Sequence, residues 1–179
     1  MRKDITMPND EIISITKNFS KNKYKAIFES MFWIKKNLEK MDYDRGLFRK
    51  RDASEIVKSK KFMGCTDVGL VFISLMRSLG IKATYMETIS EGTLVDFIKY
   101  PDKEISISGH IFVRVEIEDI SMIVDPMTFQ ILLINNLPAH SMFSDAVIIA
   151  EGKDFVELDM NSEEKIRKNT IKFVKKTFK

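Results

Sequence analysis

Cysteine is nearly missing. The 179 residues contain one, which excludes an intramolecular disulfide framework and any metal site built on several thiolates. Long apolar runs are missing too: the longest, Val68 to Met76, is broken by Gly69 and Ser74 and is far too short to span a bilayer. The N-terminal stretch MRKDITMPNDEIIS has neither the apolar segment nor the small-residue cleavage site of a secretory signal. Neither sign of charge dominates. Twenty-nine Lys and Arg against 26 Asp and Glu leave a formal net charge of +3, which does not by itself point to nucleic acid. There is no glycine-rich phosphate loop, no HExxH, no carboxylate cluster for a metal, no repeat and no low-complexity linker. These absences predict a cytoplasmic protein with a reduced thiol, no cofactor, no metal and no transmembrane segment.

What is there is ordinary for a globular protein: 44% hydrophobic and 31% charged residues, enough to build one core. A single domain over 1–179 is expected, with an N-terminal helical part (1–51), a core (52–150) and a C-terminal basic helix (151–179). Pro8 with Asn9 or Asp10 can start a short helix that runs through Phe19. A second runs from about Asn22 to Lys40, with Ile27, Phe28, Met31, Ile34 and Leu38 on one face, widened by Phe32 and Trp33. MDYDRGLFRKRD reads as a loop. Asp52 and Glu55 have the spacing of a capping box at the start of ASEIVKSKK. From Gly64 to Leu79 apolar residues fall on nearly every side, the pattern of a buried helix, closed by Gly80.

Ile81 to Glu87 reads as a strand, and 88–109 as a long polar loop broken by Gly92, Pro101 and Gly109. The next segment, GHIFVRVEIEDISMIVDPMT, alternates with period two on both sides of Glu118-Asp119. A two-residue turn there sets Ile117 against Ile120, Val115 against Met122 and Val113 against Val124. The same register puts Asp125 opposite Phe112, with His110 two residues further along that face. A diagonal pair of this kind lies within reach of an imidazole–carboxylate hydrogen bond. A one-residue slip would spoil both patterns. Two further strands are expected near Phe129–Ile134 and Ala146–Ala150, then a final helix capped by Asn161.

Cys65 therefore stands at the N-terminus of a buried helix, where the helix dipole and free N–H groups favour a thiolate. His110 and Asp125 supply a base and a group to orient it. Alone, Cys65 would read as core packing, His110 as a structural histidine and Asp125 as a turn starter before Pro126. Asp67 reads as a first-turn carboxylate favoured by the helix dipole, with substrate orientation as the alternative. His140 has no partner pattern and reads as surface.

The strings GCTDVGLVFISLMRSLGIKATYMET and GHIFVRVEIEDISMIVDPMT, over about residues 52–128, resemble the nucleophile helix and the His and Asp strands of the transglutaminase-like superfamily, whose core is related to papain-type cysteine proteases. Ile111-Phe112 and Ser121-Met122 depart from that pattern, in which a small residue and an aromatic often follow the His and a Trp precedes the Asp. The resemblance implies an α+β fold with a nucleophile helix on an antiparallel sheet. It also implies a Cys65–His110–Asp125 triad acting through a thioester on a peptide, isopeptide or side-chain amide, with peptide or protein as substrate and hydrolysis favoured over transamidation. The alternative is a catalytically silent peptide-binding module of the same fold. The lysines of 165–179 read as a solvated helix face, and a nucleic-acid partner is not expected.

Overall fold

A computed structural model of the chain describes residues 4–100, 103–133, 142–143 and 145–178. Near the N-terminus, α1 (Asp10–Thr16) is capped by Asn9, whose side chain accepts from the Ile12 N–H. α2 (Lys23–Asn37) is capped likewise by Asn22 and buries Ala26, Ile27, Ser30, Met31 and Ile34, a stripe of i, i+3 and i+4 spacing. Phe28 and Phe32 lie off that stripe, 49% and 61% exposed. Both helices are shorter than their sequence patterns suggest. Leu38 turns extended, which ends α2 and lets β1 (Glu39–Lys40) pair in parallel with β2 (Lys61–Phe62).

Between these short strands, α3 (Ala53–Ser59) opens on the expected capping box: the Asp52 side chain accepts from Glu55 N–H, and the Glu55 carboxylate from Asp52 N–H. α4 (Cys65–Ser78) follows and is buried from Thr66 through Met76. It ends in a paired closure, with Gly80 N–H donating to the Arg77 carbonyl and Ile81 N–H to that of Met76. Gly80 is at φ +68°, a conformation a side chain disfavours. Gly80→Ala is expected to cost about 1 kcal/mol and to lower the melting temperature by about 2–4 °C in a calorimetric scan.

Six strands form one antiparallel sheet: β3 (Lys82–Ser90), β4 (Gly109–Ile117), β5 (Ile120–Asp125), β6 (Gln130–Leu133), β7 (Met142–Phe143) and β8 (Ala146–Gly152), in the order β6-β5-β4-β3-β8-β7. The β4–β5 hairpin has the register its alternation predicts, pairing Ile117 with Ile120, Val115 with Met122 and Val113 with Val124. Glu118, at φ 53°, supplies the left-handed residue that a tight turn needs. One face of the sheet (Ala83, Tyr85, Val113, Val115, Val124) packs with α4 in the main core, and α1, α2 and α3 lie against α4 as well. The other face holds a smaller cluster of Met86, Phe112, Ile123, Ala146 and Ile148. The fold is α+β.

Two expectations need correction. Residues 88–109 are not one long loop: β3 runs on to Ser90, and α5 (Glu91–Lys99) follows, capped by Ser90 accepting from Thr93 N–H. The final helix, α6 (Glu163–Phe178), is capped by Ser162, which accepts from Lys165 N–H, and not by Asn161. α6 buries Ile166, Thr170, Phe173 and Val174 and lies against α5. Ile134 and His140 fall outside the described residues. Among the described residues no helix is long and apolar enough to cross a membrane, and no group of three His, Cys, Asp or Glu could hold a metal ion.

Candidate active site

The turn that delivers Cys65 is held by charge. Asp67, in the first turn of α4, is ion-paired to Arg51 and accepts from the Met63 N–H at 2.8 Å. Arg51 also donates to the Lys61 carbonyl at 3.0 Å. Asp67 is buried, so its surroundings give it the job of fixing the approach to the helix, and orienting a substrate is not where it points. Gly64 precedes the helix in an extended conformation, and no side chain caps this end. The first-turn N–H groups of α4 therefore keep their capacity for an anion.

His110 enters from the start of β4, beyond the last β4–β5 pair, Val113 with Val124. A Cβ on Gly109 would stand 2.6 Å from the Thr88 carbonyl oxygen, so glycine lets the first residues of β4 close on β3. The His110 Nε2 lies 2.8 Å from the Asp125 Oδ2. Asp125 ends β5 and is anchored by Pro126-Met127-Thr128. Its Oδ1 accepts from the Met127 and Thr128 N–H groups at 2.9 and 3.2 Å, and its Oδ2 from the Thr128 hydroxyl at 2.6 Å. With Nε2 given to Asp125, the ring lines the same groove as Cys65 and feels that thiol electrostatically. His110 and Asp125 are thus bonded to one another, and Cys65 shares the groove with His110.

Burial alone would lower the pKa of His110. The bond to Asp125, the neighbouring Cys65 thiol and the negative charge of Asp125 outweigh burial and raise it to about 10. Burial likewise works to raise the Asp125 carboxyl, but the bonds from His110 and Thr128 and the imidazolium charge hold it below its ordinary value. The His110 ring also meets Phe112 edge-on, with centroids 4.9 Å apart, so the residue two after the histidine is an aromatic support.

Cys65 and His110 open onto a groove of about 1000 Å³. Phe48 and Arg49 from the 41–52 loop, Ile105 and Ile107 from the segment before β4, and Ile166 and Arg167 from α6 form its walls. Arg167 ties two walls together by donating to the Ile105 and Lys103 carbonyls. Tyr43 does the same across the groove, donating to Glu163 at 2.9 Å. Sequence patterns gave no sign that the lysine-rich helix lines this groove. Nor did they mark Arg49 and Glu87, which meet beside it at 2.7 Å with both side chains 4% exposed. A glutamate interrupting the buried run of β3 was the available signal.

No family model matches the chain, and no curated protein matches it. Among solved structures it is similar to a proposed cysteine protease from Cytophaga hutchinsonii, at 20% identity and a TM-score of 0.56 over 86% of this chain. The chain spans 47% of the length of that structure. At this identity the likeness is one of fold: the α+β arrangement is shared with that cysteine-protease-like structure.

Proposed function

We propose that the protein is a transglutaminase-like cysteine enzyme that cleaves a peptide, isopeptide or side-chain amide through a thioester on Cys65, with His110 as base and Asp125 as its orienter. The observation that carries this reading is a carboxylate bonded to Nε2 of a histidine that shares its groove with a thiol at a helix N-terminus. A carboxylate on Nε2 fixes the tautomer in which Nδ1 can take the thiol proton.

In the first half-reaction the Cys65 sulfur adds to the substrate carbonyl, and the thiol proton rests on His110. The carbonyl oxygen becomes anionic, and the uncapped N–H groups at the start of α4 are suited to receive it. Collapse of the tetrahedral species breaks the C–N bond, and His110 returns the proton to the departing amine. In the second half-reaction water loses a proton to His110 and attacks the thioester, releasing the acid and the thiol. Hydrolysis is favoured over transamidation because no residue of the groove specifies an amine site.

The test uses p-nitrophenyl acetate and peptide-level mass spectrometry. Acetyl-Cys65 is expected to form and then decay to acetate, with glycine methyl ester leaving the decay rate unchanged. An acetyl group that persists on Cys65 as on an ordinary thiol would overturn the reading. Faster decay with the amine would replace hydrolysis by transamidation.

A further inference from the structure

Three features coincide on the wall of the groove beside Cys65. Arg49 and Glu87 form an ion pair with both side chains 4% exposed. A buried pair of this kind gains little over apolar residues of the same volume, because desolvation offsets the attraction, so its presence calls for another reason. Arg49 is further held by donating to the Met160 carbonyl at 2.7 Å, and Glu87 by accepting from the Tyr85 hydroxyl at 3.0 Å. Second, Arg49 sits at φ 52°, a left-handed conformation that costs a side-chain-bearing residue energy and concentrates at functional sites. Third, the buried Nε of Arg49 has no hydrogen-bond partner among the described residues. Held this tightly, with one donor unspent, the guanidinium stands on the same groove as the Cys65 thiol.

We infer that Arg49 is a positioning residue for the nucleophile: its fixed cation supports the Cys65 thiolate, and Glu87, held by Tyr85, fixes the cation and tempers its charge. The inference rests on the reading of Cys65 as nucleophile and adds to it a second cation, independent of His110. Charges reach Cys65 from each surrounding element. His110 from β4, backed by Asp125, is the mobile cation. Asp67 of its own helix is neutralised by Arg51. Tyr85 of β3 stays a neutral donor, since burial and the Glu87 charge push its hydroxyl well above the ordinary tyrosine value. On the α6 side the rim carries Glu163 and Glu164 against Arg167, with Glu104 from the segment before β4 and Arg45 from the 41–52 loop, where solvent screens them. Among the described residues, Arg49 and Glu87 are the buried ion pair that lines the groove besides the relay.

The consequence is directional. Removing Arg49's charge and removing Glu87's must move thiolate formation in opposite senses, whereas a merely structural pair would lose the same thing from either side. The experiment is the pH dependence of iodoacetamide alkylation of Cys65 in the full chain, followed by mass spectrometry without any substrate. Arg49→Gln is expected to shift the curve toward alkaline pH and to slow alkylation at neutral pH about ten-fold. Glu87→Gln is expected to shift it toward acid pH, and Arg49→Lys to restore most of the wild-type profile. If Arg49→Gln does not fold, the acid shift in Glu87→Gln and the retained profile in Arg49→Lys still decide. Shifts of one sign in both glutamine variants, or no shift in a folded variant, would overturn the inference. Because no turnover is read, failure of the hydrolase reading and failure of this inference are distinguishable: the former appears as a persistent acetyl-Cys65, the latter only in these curves.

Discussion

Cys65→Ala is expected to abolish thioester formation and to lower amide or ester turnover by at least about four orders of magnitude, with the fold intact. Removing the nucleophile of a relay removes nearly everything the relay supplies, and the residual rate comes from binding and anion stabilisation alone. The structural cost is small, because Cys65 is a partly buried first-turn residue and alanine suits a helix start. Core contacts of α4 come instead from Leu70, Val71, Phe72, Ile73, Leu75 and Met76, which the substitution leaves untouched. The checking measurements are initial rates with p-nitrophenyl acetate alongside a thermal scan. Undiminished turnover in a variant with the wild-type melting temperature would sink the mechanism.

Asp125→Asn is expected to lower turnover by about two to four orders of magnitude and to change the pH dependence of stability. If the asparagine oxygen keeps the Met127 and Thr128 N–H groups, its NH₂ faces the His110 Nε2. An NH₂ donates, so Nε2 must become an acceptor and the ring proton moves to Nδ1, the nitrogen that the proposed relay assigns to the thiol. The imidazole is then held in the tautomer that cannot take the thiol proton. For stability, His110 is raised from an ordinary 6.5 to about 10, so its contribution is complete below about 6.5 and is lost as pH rises toward 10. Asp125 is lowered from 3.8, so its contribution is present above about 3.8 and is lost as pH falls through its depressed value. The wild type should therefore exceed Asp125→Asn in melting temperature most between about pH 4 and 6.5, with the gap narrowing toward pH 10. A gap that stays constant from pH 5 to 10 would mean that the His110–Asp125 pair is not what Asp125 contributes.

The parts of this site that could be read in the sequence are those governed by a short period. Strict alternation around Glu118-Asp119 leaves one parity that buries Val113, Val115 and Ile117 together, and that parity also sets His110 and Asp125 on a common face. The all-round apolar pattern before Gly80 likewise leaves little but a buried helix starting near Cys65. Where the pattern is weak, tertiary contacts decide. Phe28 was expected on the inner stripe of α2 and is turned out, because Ile27 and Met31 fill the space against α4. α5 was hidden in a polar stretch containing Gly92, and its Ser90 cap looks like any loop serine. Arg49 and Glu87 lie 38 positions apart, and neither a loop arginine nor a strand glutamate announces a buried partner. Such a pair becomes visible only when the chain closes on itself.

The groove is also built unevenly from the chain. Its reacting end is built on α4 and the middle of the sheet, where a change in volume is felt throughout the core. Its far walls are the 103–108 strip and the start of α6, joined to one another in part by Arg167 through the Ile105 and Lys103 backbone carbonyls. Contacts made to main-chain oxygens tolerate substitution on the strip they hold. Residues such as Glu104, Ser106 and Glu164 can therefore change with little effect on how the strip is held, and on the proposed reading they would alter substrate choice before they altered the chemistry.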